Sequence, residues 1–129
     1  MSLREEEELG KAIDAYLGAI RTGDIRLFER AFYPDSVVIN AGENDPRKAT
    51  LPIDDFAKGV KSRHDQGTNT EEIPLGATIS YVGCAANVRL DFELRIGDKT
   101  LYGSDYFNLV KRNGQWKISQ KIYYVTYVK

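Results

Sequence analysis

Tyr16, Asp105 and Gln120 are the side chains whose types and places suggest chemistry in this 129-residue chain. Leu101, Asp105, Phe107 and Leu109 share one face of an alternating run, so a carboxyl group stands among hydrophobes. Trp116, Ile118, Gln120 and Ile122 share a face in the next run, which sets an amide among hydrophobes. Tyr16 lies on the apolar stripe of Leu9, Ala12, Ile13, Tyr16, Leu17 and Ile20, spaced as one helical face. A few polar groups converging in an apolar cavity is the usual construction of a small-molecule site. Such a set would anchor the polar end of an apolar ligand, with Asp105 as acid or base. A buried carboxyl group without a cation has its pKa raised and stays neutral. Phe28, Phe56, Phe92, Phe107 and Trp116 are expected to supply the apolar wall. Each polar residue also has a plain structural reading. Tyr16 could be a core tyrosine with its hydroxyl at the surface, Asp105 a structural acid, and Gln120 a bulge residue facing solvent.

The elements that must position these groups change character once along the chain. The first half has helical spacing. A capping box of Ser2 and Glu5 is expected to open the first helix, and Gly23 to stop it. Asp24 is expected to cap a second helix with the stripe Leu27, Phe28, Ala31 and Phe32, ended by Pro34. Val37 to Ile39 reads as a short strand, Gly42 to Pro46 as a turn-rich loop, and Ile53, Phe56, Ala57 and Val60 as a third helix. His64 to Thr70 reads as an exposed loop. After Glu72 the period becomes two, as where Ala86, Val88, Leu90, Phe92 and Leu94 alternate with polar residues. Gly97-Asp98 and Asn113-Gly114 are hairpin turns. Four antiparallel strands are therefore expected at about Ile73–Val82, Ala85–Ile96, Lys99–Arg112 and Gln115–Val128. The fold class is α+β: three N-terminal helices packed on one face of a curved, mostly antiparallel sheet. No linker or repeat divides residues 1–129, which read as one domain.

Other chemistries are poorly supplied. With 18 basic against 19 acidic residues, the chain lacks the positive surplus that phosphate contacts need, so nucleic acid is not an expected partner. No run approaches the roughly 20 apolar residues of a membrane helix, and Glu5 to Glu8 stand where a signal peptide would be apolar. Cys84 is the one cysteine, so no internal disulfide forms and a reducing cytoplasm is the expected location. The lone His64 and scattered acids have no metal-ligand spacing, so neither metal nor cofactor is expected.

Gly23-Asp24-Ile25 through Phe32-Tyr33-Pro34-Asp35-Ser36-Val37 resembles the helix-to-strand passage of nuclear transport factor 2-like proteins. Asp105-Tyr106-Phe107-Asn108-Leu109-Val110-Lys111 with Asn113-Gly114-Gln115-Trp116-Lys117-Ile118 resembles their last hairpin. The subgroup described as putative lumazine-binding is the nearest match. The resemblance implies a cone-shaped sheet around the first helix, a pocket at its open end, and frequent homodimers. It implies no single function, since the fold hosts dehydratases, isomerases, cyclases and non-catalytic binders. Tyr16 and Asp105 match the tyrosine and protonated aspartic acid that form the oxyanion hole of the fold's ketosteroid isomerases. The isomerase's base falls on Asn40, an amide that cannot abstract a proton, so Asn40 is expected only as a ligand contact. The outward face carries Tyr102 and Tyr106 beside Lys117, Ser119, Lys121 and Tyr123. Tyrosine-rich surface suggests an interface, so a homodimer through Tyr102, Tyr106 and Tyr123 is expected. The two function classes that remain are a small-molecule pocket protein, of lyase or isomerase type if catalytic, and a non-catalytic dimeric interaction module.

Overall fold

The computed structural model describes residues 3–43, 45, 47 and 49–129, with the side chain of Leu3 left aside. The Ser2–Glu5 capping box falls partly outside these residues. Helix α1 runs Leu3–Thr22 and α2 runs Ile25–Ala31, followed by strands β1 (Phe32–Asn40) and β2 (Thr50–Pro52). Helix α3 is Ile53–Asp65, and four long strands complete the chain: β3 (Thr70–Val82), β4 (Ala85–Ile96), β5 (Lys99–Arg112) and β6 (Gln115–Val128). One six-stranded sheet has the order β2-β1-β6-β5-β4-β3. Only the β1–β6 pairing is parallel. The result is an open, curved α+β sheet with three helices packed on it.

Local chemistry sets the breaks. Gly23 adopts a φ of +72°, and Asp24 caps α2 by accepting from the Arg26 amide at 2.9 Å. Asn113 and Gly114 take φ values of +53° and +77°, the left-handed pair that a type I′ hairpin requires. Tyr16, Leu9, Ala19, Phe107 and Ile118 are completely buried where α1 lies against the sheet.

Three expectations need correction. Strand β1 begins at Phe32, directly after α2, because Pro34 lacks an amide hydrogen but fits an extended backbone. Strand β2, three residues pairing with Val37 to Ile39, was too short to carry a pattern. His64 is no loop residue. It lies in the last turn of α3, with its ring Nε2 2.8 Å from the Ile20 carbonyl oxygen, tying the C-terminal ends of α1 and α3 together.

Two bulges decide which side chains face the helices. On β3 the register shifts between Pro74 and Gly76, leaving Leu75 as the extra residue. On β6 it shifts at Ser119, so that Leu109 pairs with Ile118 but Asn108 with Gln120. Each extra residue inverts the alternation beyond it.

Candidate active site

The β6 bulge turns Lys121, Tyr123 and Val125 inward and Gln120 outward. The expectation for Gln120 is therefore corrected. Its side-chain oxygen accepts from Asn108 Nδ2 at 2.9 Å on the outer face. Tyr123 is corrected in the opposite sense, from outer interface to inner wall. The β3 bulge likewise turns Glu72 inward. Lys121 and Glu72 thus join Tyr16 and Asp105 although neither was among the expected site residues. Pro74 and Gly76 were the signal for Glu72, because both residues mark bulges inside strands. Nothing in the residue types around Ser119 announces the second bulge.

The four groups form one buried cluster. Tyr16 is 0% exposed, Asp105 0%, Glu72 5% and Lys121 5%. Lys121 Nζ donates to the Tyr16 hydroxyl at 2.6 Å, and that hydroxyl donates to Glu72 Oε1 at 2.6 Å. Lys121 Nζ lies 3.7 Å from Asp105 Oδ1, close enough for charge attraction but too far for a hydrogen bond. Its ammonium also lies 4.8 Å from the Tyr16 ring centroid, 4.7 Å from Phe56 and 5.0 Å from Tyr123, so π-faces replace much of its lost hydration. Both Asp105 oxygens, Glu72 Oε2 and Thr70 Oγ1 are buried without a hydrogen-bond partner among the described residues.

Burial pushes the Asp105 carboxyl well above its ordinary pKa of 3.8; the Lys121 charge opposes this and the neighbouring Glu72 reinforces it. Two carboxyl groups thus share one ammonium, so the cluster has one carboxyl more than its cation can match. Burial and the charges of Asp105 and Glu72 also push the Tyr16 hydroxyl well above its ordinary value, so it stays a phenol. Its hydrogen is committed to Glu72. Of the two donors implied by the isomerase resemblance, only Asp105 has oxygens without a hydrogen-bond partner among the described residues.

The cluster borders a cavity of about 390 Å³. Phe56, Phe92, Leu94, Leu101, Tyr123 and Val125 give it largely apolar walls, and Arg47, Asp55 and Arg63 add charge. Of the expected wall residues, Phe56 and Phe92 line this cavity. Phe107 lies behind it in the core, its ring centroid 4.9 Å from that of Tyr16. Phe28 packs edge-on against Phe56 and lines a separate cavity of about 370 Å³ between α2, β1 and α3. Trp116 sits at the other end of the sheet, donating to Glu5 Oε2 at 2.7 Å. Asn40 does not line the cavity either. Its amide holds Asp45 at 2.8 Å, and Asp45 in turn clamps Arg47 on the cavity wall. Tyr102 and Tyr106 stand on the outer face, as their alternation with Asp105 requires. No group of three or more potential metal-ligating side chains occurs among the described residues, and no helix there is long and apolar enough to cross a membrane.

An open cystatin-like α+β sheet packed around a helix is the fold of nuclear transport factor 2-like proteins. Within it, the chain belongs to the family described as putative lumazine-binding, whose model matches residues 4–124. Solved structures share the fold. A putative scytalone dehydratase from Novosphingobium aromaticivorans DSM 12444 is 21% identical, with TM-score 0.80, over 98% of this chain and 87% of that one. A conserved protein from Planctomyces limnophilus DSM 3776 is 17% identical, with TM-score 0.83, over 97% and 98%. A hexachlorocyclohexane dehydrochlorinase (LinA, type 2) is 14% identical, with TM-score 0.78, over 98% and 88%. A search of curated proteins gave no match.

Proposed function

We propose that this is a small-molecule pocket protein that exchanges a proton with the polar end of an apolar ligand through Asp105, in an elimination or isomerisation. One observation carries the reading. Asp105 is completely buried, its oxygens have no hydrogen-bond partner among the described residues, and it borders a largely apolar cavity. A buried carboxyl group left unsatisfied by its own fold costs free energy, which a ligand can recover. Its raised pKa suits a group that must give a proton near neutral pH and take it back. The Lys121–Tyr16–Glu72 chain would hold that carboxyl's surroundings fixed during transfer. The names of the dehydratase and dehydrochlorinase among the structural neighbours denote eliminations, which supports the reaction class without fixing a substrate.

The test uses 2-tetralone, an apolar bicycle with one carbonyl, in deuterated buffer. The protein is expected to accelerate hydrogen–deuterium exchange beside the carbonyl, and Asp105→Asn to lose that acceleration by about 100-fold or more. Exchange at equal rates in both proteins would remove Asp105 from the chemistry. Saturable binding with no exchange in either would leave a binder, not an enzyme.

The outer face supports a second reading, a dimeric interaction module. Tyr106 is 42% exposed and Tyr124 49%. Two copies meeting through that face, in a reducing cytoplasm that keeps the free Cys84 a thiol, would bury these rings. Sedimentation at micromolar concentration decides, and a monomer there would overturn the dimer.

A further inference from the structure

Among the described residues, Arg63 is the one cation of the cavity wall without an ion pair. It lies on the inner face of α3, at the spacing of Phe56, Gly59 and Val60, all of which also line the cavity. Its Nε is buried and makes no hydrogen bond among the described residues, and no carboxylate lies within ion-pair distance of its guanidinium there. The residues outside that set are Met1, Ser2, Asn44, Pro46 and Lys48, none of which carries a carboxylate. Asp55 lines the same cavity, but eight residues along α3 place it about 12 Å away on the helix axis. Asp55 is exposed, and Asp45 already engages Arg47 through both carboxylate oxygens. An unpaired, half-buried guanidinium is costly, and Arg serves widely as a planar clamp for carboxylates.

The burial gradient orders the cavity. Arg47 and Asp55 face solvent, Arg63 is half-buried, and Asp105 is 0% exposed. A ligand that reaches Asp105 in this cavity shares it with the less buried Arg63. We propose that the ligand is an organic monocarboxylate, with its inner polar end at Asp105 and its carboxylate paired with Arg63 nearer the opening. This rests on the pocket reading above and names its substrate class. One cation of the cavity wall without an ion pair among the described residues suits a single negative charge better than a phosphate dianion. Burial and the Arg47 charge both lower the Arg63 pKa, so the site resists further positive charge and gains from a negative one.

Three probes of one skeleton test it: 6-hydroxy-2-naphthoate, its carboxamide, and 2-naphthol, titrated by fluorescence at neutral pH. The carboxylate is expected to bind the native protein at least tenfold tighter than the carboxamide. Arg63→Met is expected to weaken the carboxylate by about ten- to a hundredfold while leaving the carboxamide within about twofold, and Arg63→Lys to restore part of the loss. Equal affinity for carboxylate and carboxamide in the native protein overturns the proposal, whether or not the Met variant folds. So does an equal loss of both probes in that variant. If 2-naphthol binds without any preference for the carboxylate, only this inference fails. If none of the three binds, the pocket reading fails and takes this inference with it.

Discussion

The β5–β6 hairpin carries two lysine–carboxylate clusters with opposite characters. Near the turn, Lys111 Nζ donates to Glu5 Oε1 and Trp116 Nε1 to Glu5 Oε2, both at 2.7 Å. These hydrogen bonds hold the Glu5 carboxyl below its ordinary pKa and raise that of Lys111. Further along, Lys121 stands between Tyr16 and Asp105, whose carboxyl is pushed the other way by burial. The first cluster is partly wet and both Glu5 oxygens are engaged; the second is dry and leaves three carboxyl oxygens without a hydrogen-bond partner among the described residues. A groove of about 620 Å³ runs beside Glu5 and Lys111, larger than the 390 Å³ cavity at Asp105. Volume therefore favours the first place and unmet hydrogen-bonding capacity the second. The contrast teaches that a satisfied ion pair closes a structure, whereas an unsatisfied one waits for a ligand.

The largest effect expected from this contrast is on stability. Lys121→Met should cost about 3–5 kcal/mol, because it strands two buried carboxyl groups. Lys111→Met should cost clearly less, since water can replace it. Urea denaturation of both variants measures this, and equal losses would erase the distinction between the clusters. Tyr16→Phe should cost about 1–3 kcal/mol by leaving Lys121 and Glu72 without the hydroxyl that joins them.

The pH dependence should separate the clusters by sign. Asp105 has a folded pKa above its unfolded value, so its contribution is complete below about pH 4 and drains as pH rises toward the folded value. Glu5 has a folded pKa below its ordinary 4.5, so its contribution is complete above that and is lost as pH falls. Asp105→Asn should therefore gain on the native protein as pH rises from 4, by at most about 1.4 kcal/mol per unit. Glu5→Gln should flatten the loss below pH 4.5. Melting temperatures across pH 3–8 measure both, and slopes of one sign in the two difference curves would contradict the assignment. The smallest expected effect concerns neighbours on β6. Tyr123→Ala should weaken 2-naphthol several-fold and Tyr124→Ala should not, because one ring faces in and the other out.

Most of the fold was legible because strong local signals agreed. The unbroken alternation of Ala86 to Leu94 and the Asn113-Gly114 turn set β4, β5 and β6 at their observed bounds. Asp105 was legible for the same reason, since no bulge separates it from the β4–β5 turn. Gln120 and Tyr123 were misread because strict alternation was carried through Ser119, where Ile122 continued an apolar pattern that belongs to the outer face. Glu72 was lost in the polar run from Thr68, although Pro74 and Gly76 marked the bulge that decides which way it faces. Arg63 and Arg47 gave no signal, because which charged groups share a wall depends on how helix and sheet meet.

The extra residue at Ser119 behaves like a reading frame. Beyond it Lys121, Tyr123 and Val125 are addressed to the ligand and Gln120, Ile122 and Tyr124 to the exterior, until a further bulge at Thr126 keeps Tyr127 outside. Deleting Ser119 would merely close the bulge and keep both sets in place, whereas pairing it into the ladder would exchange them, delivering Ile122 and Tyr124 to the hollow and Lys121 to water. Acylation of Lys121, slow in the native register, would then become fast. The make-up of the pocket wall thus depends on whether one residue that does not line it is left out of the ladder.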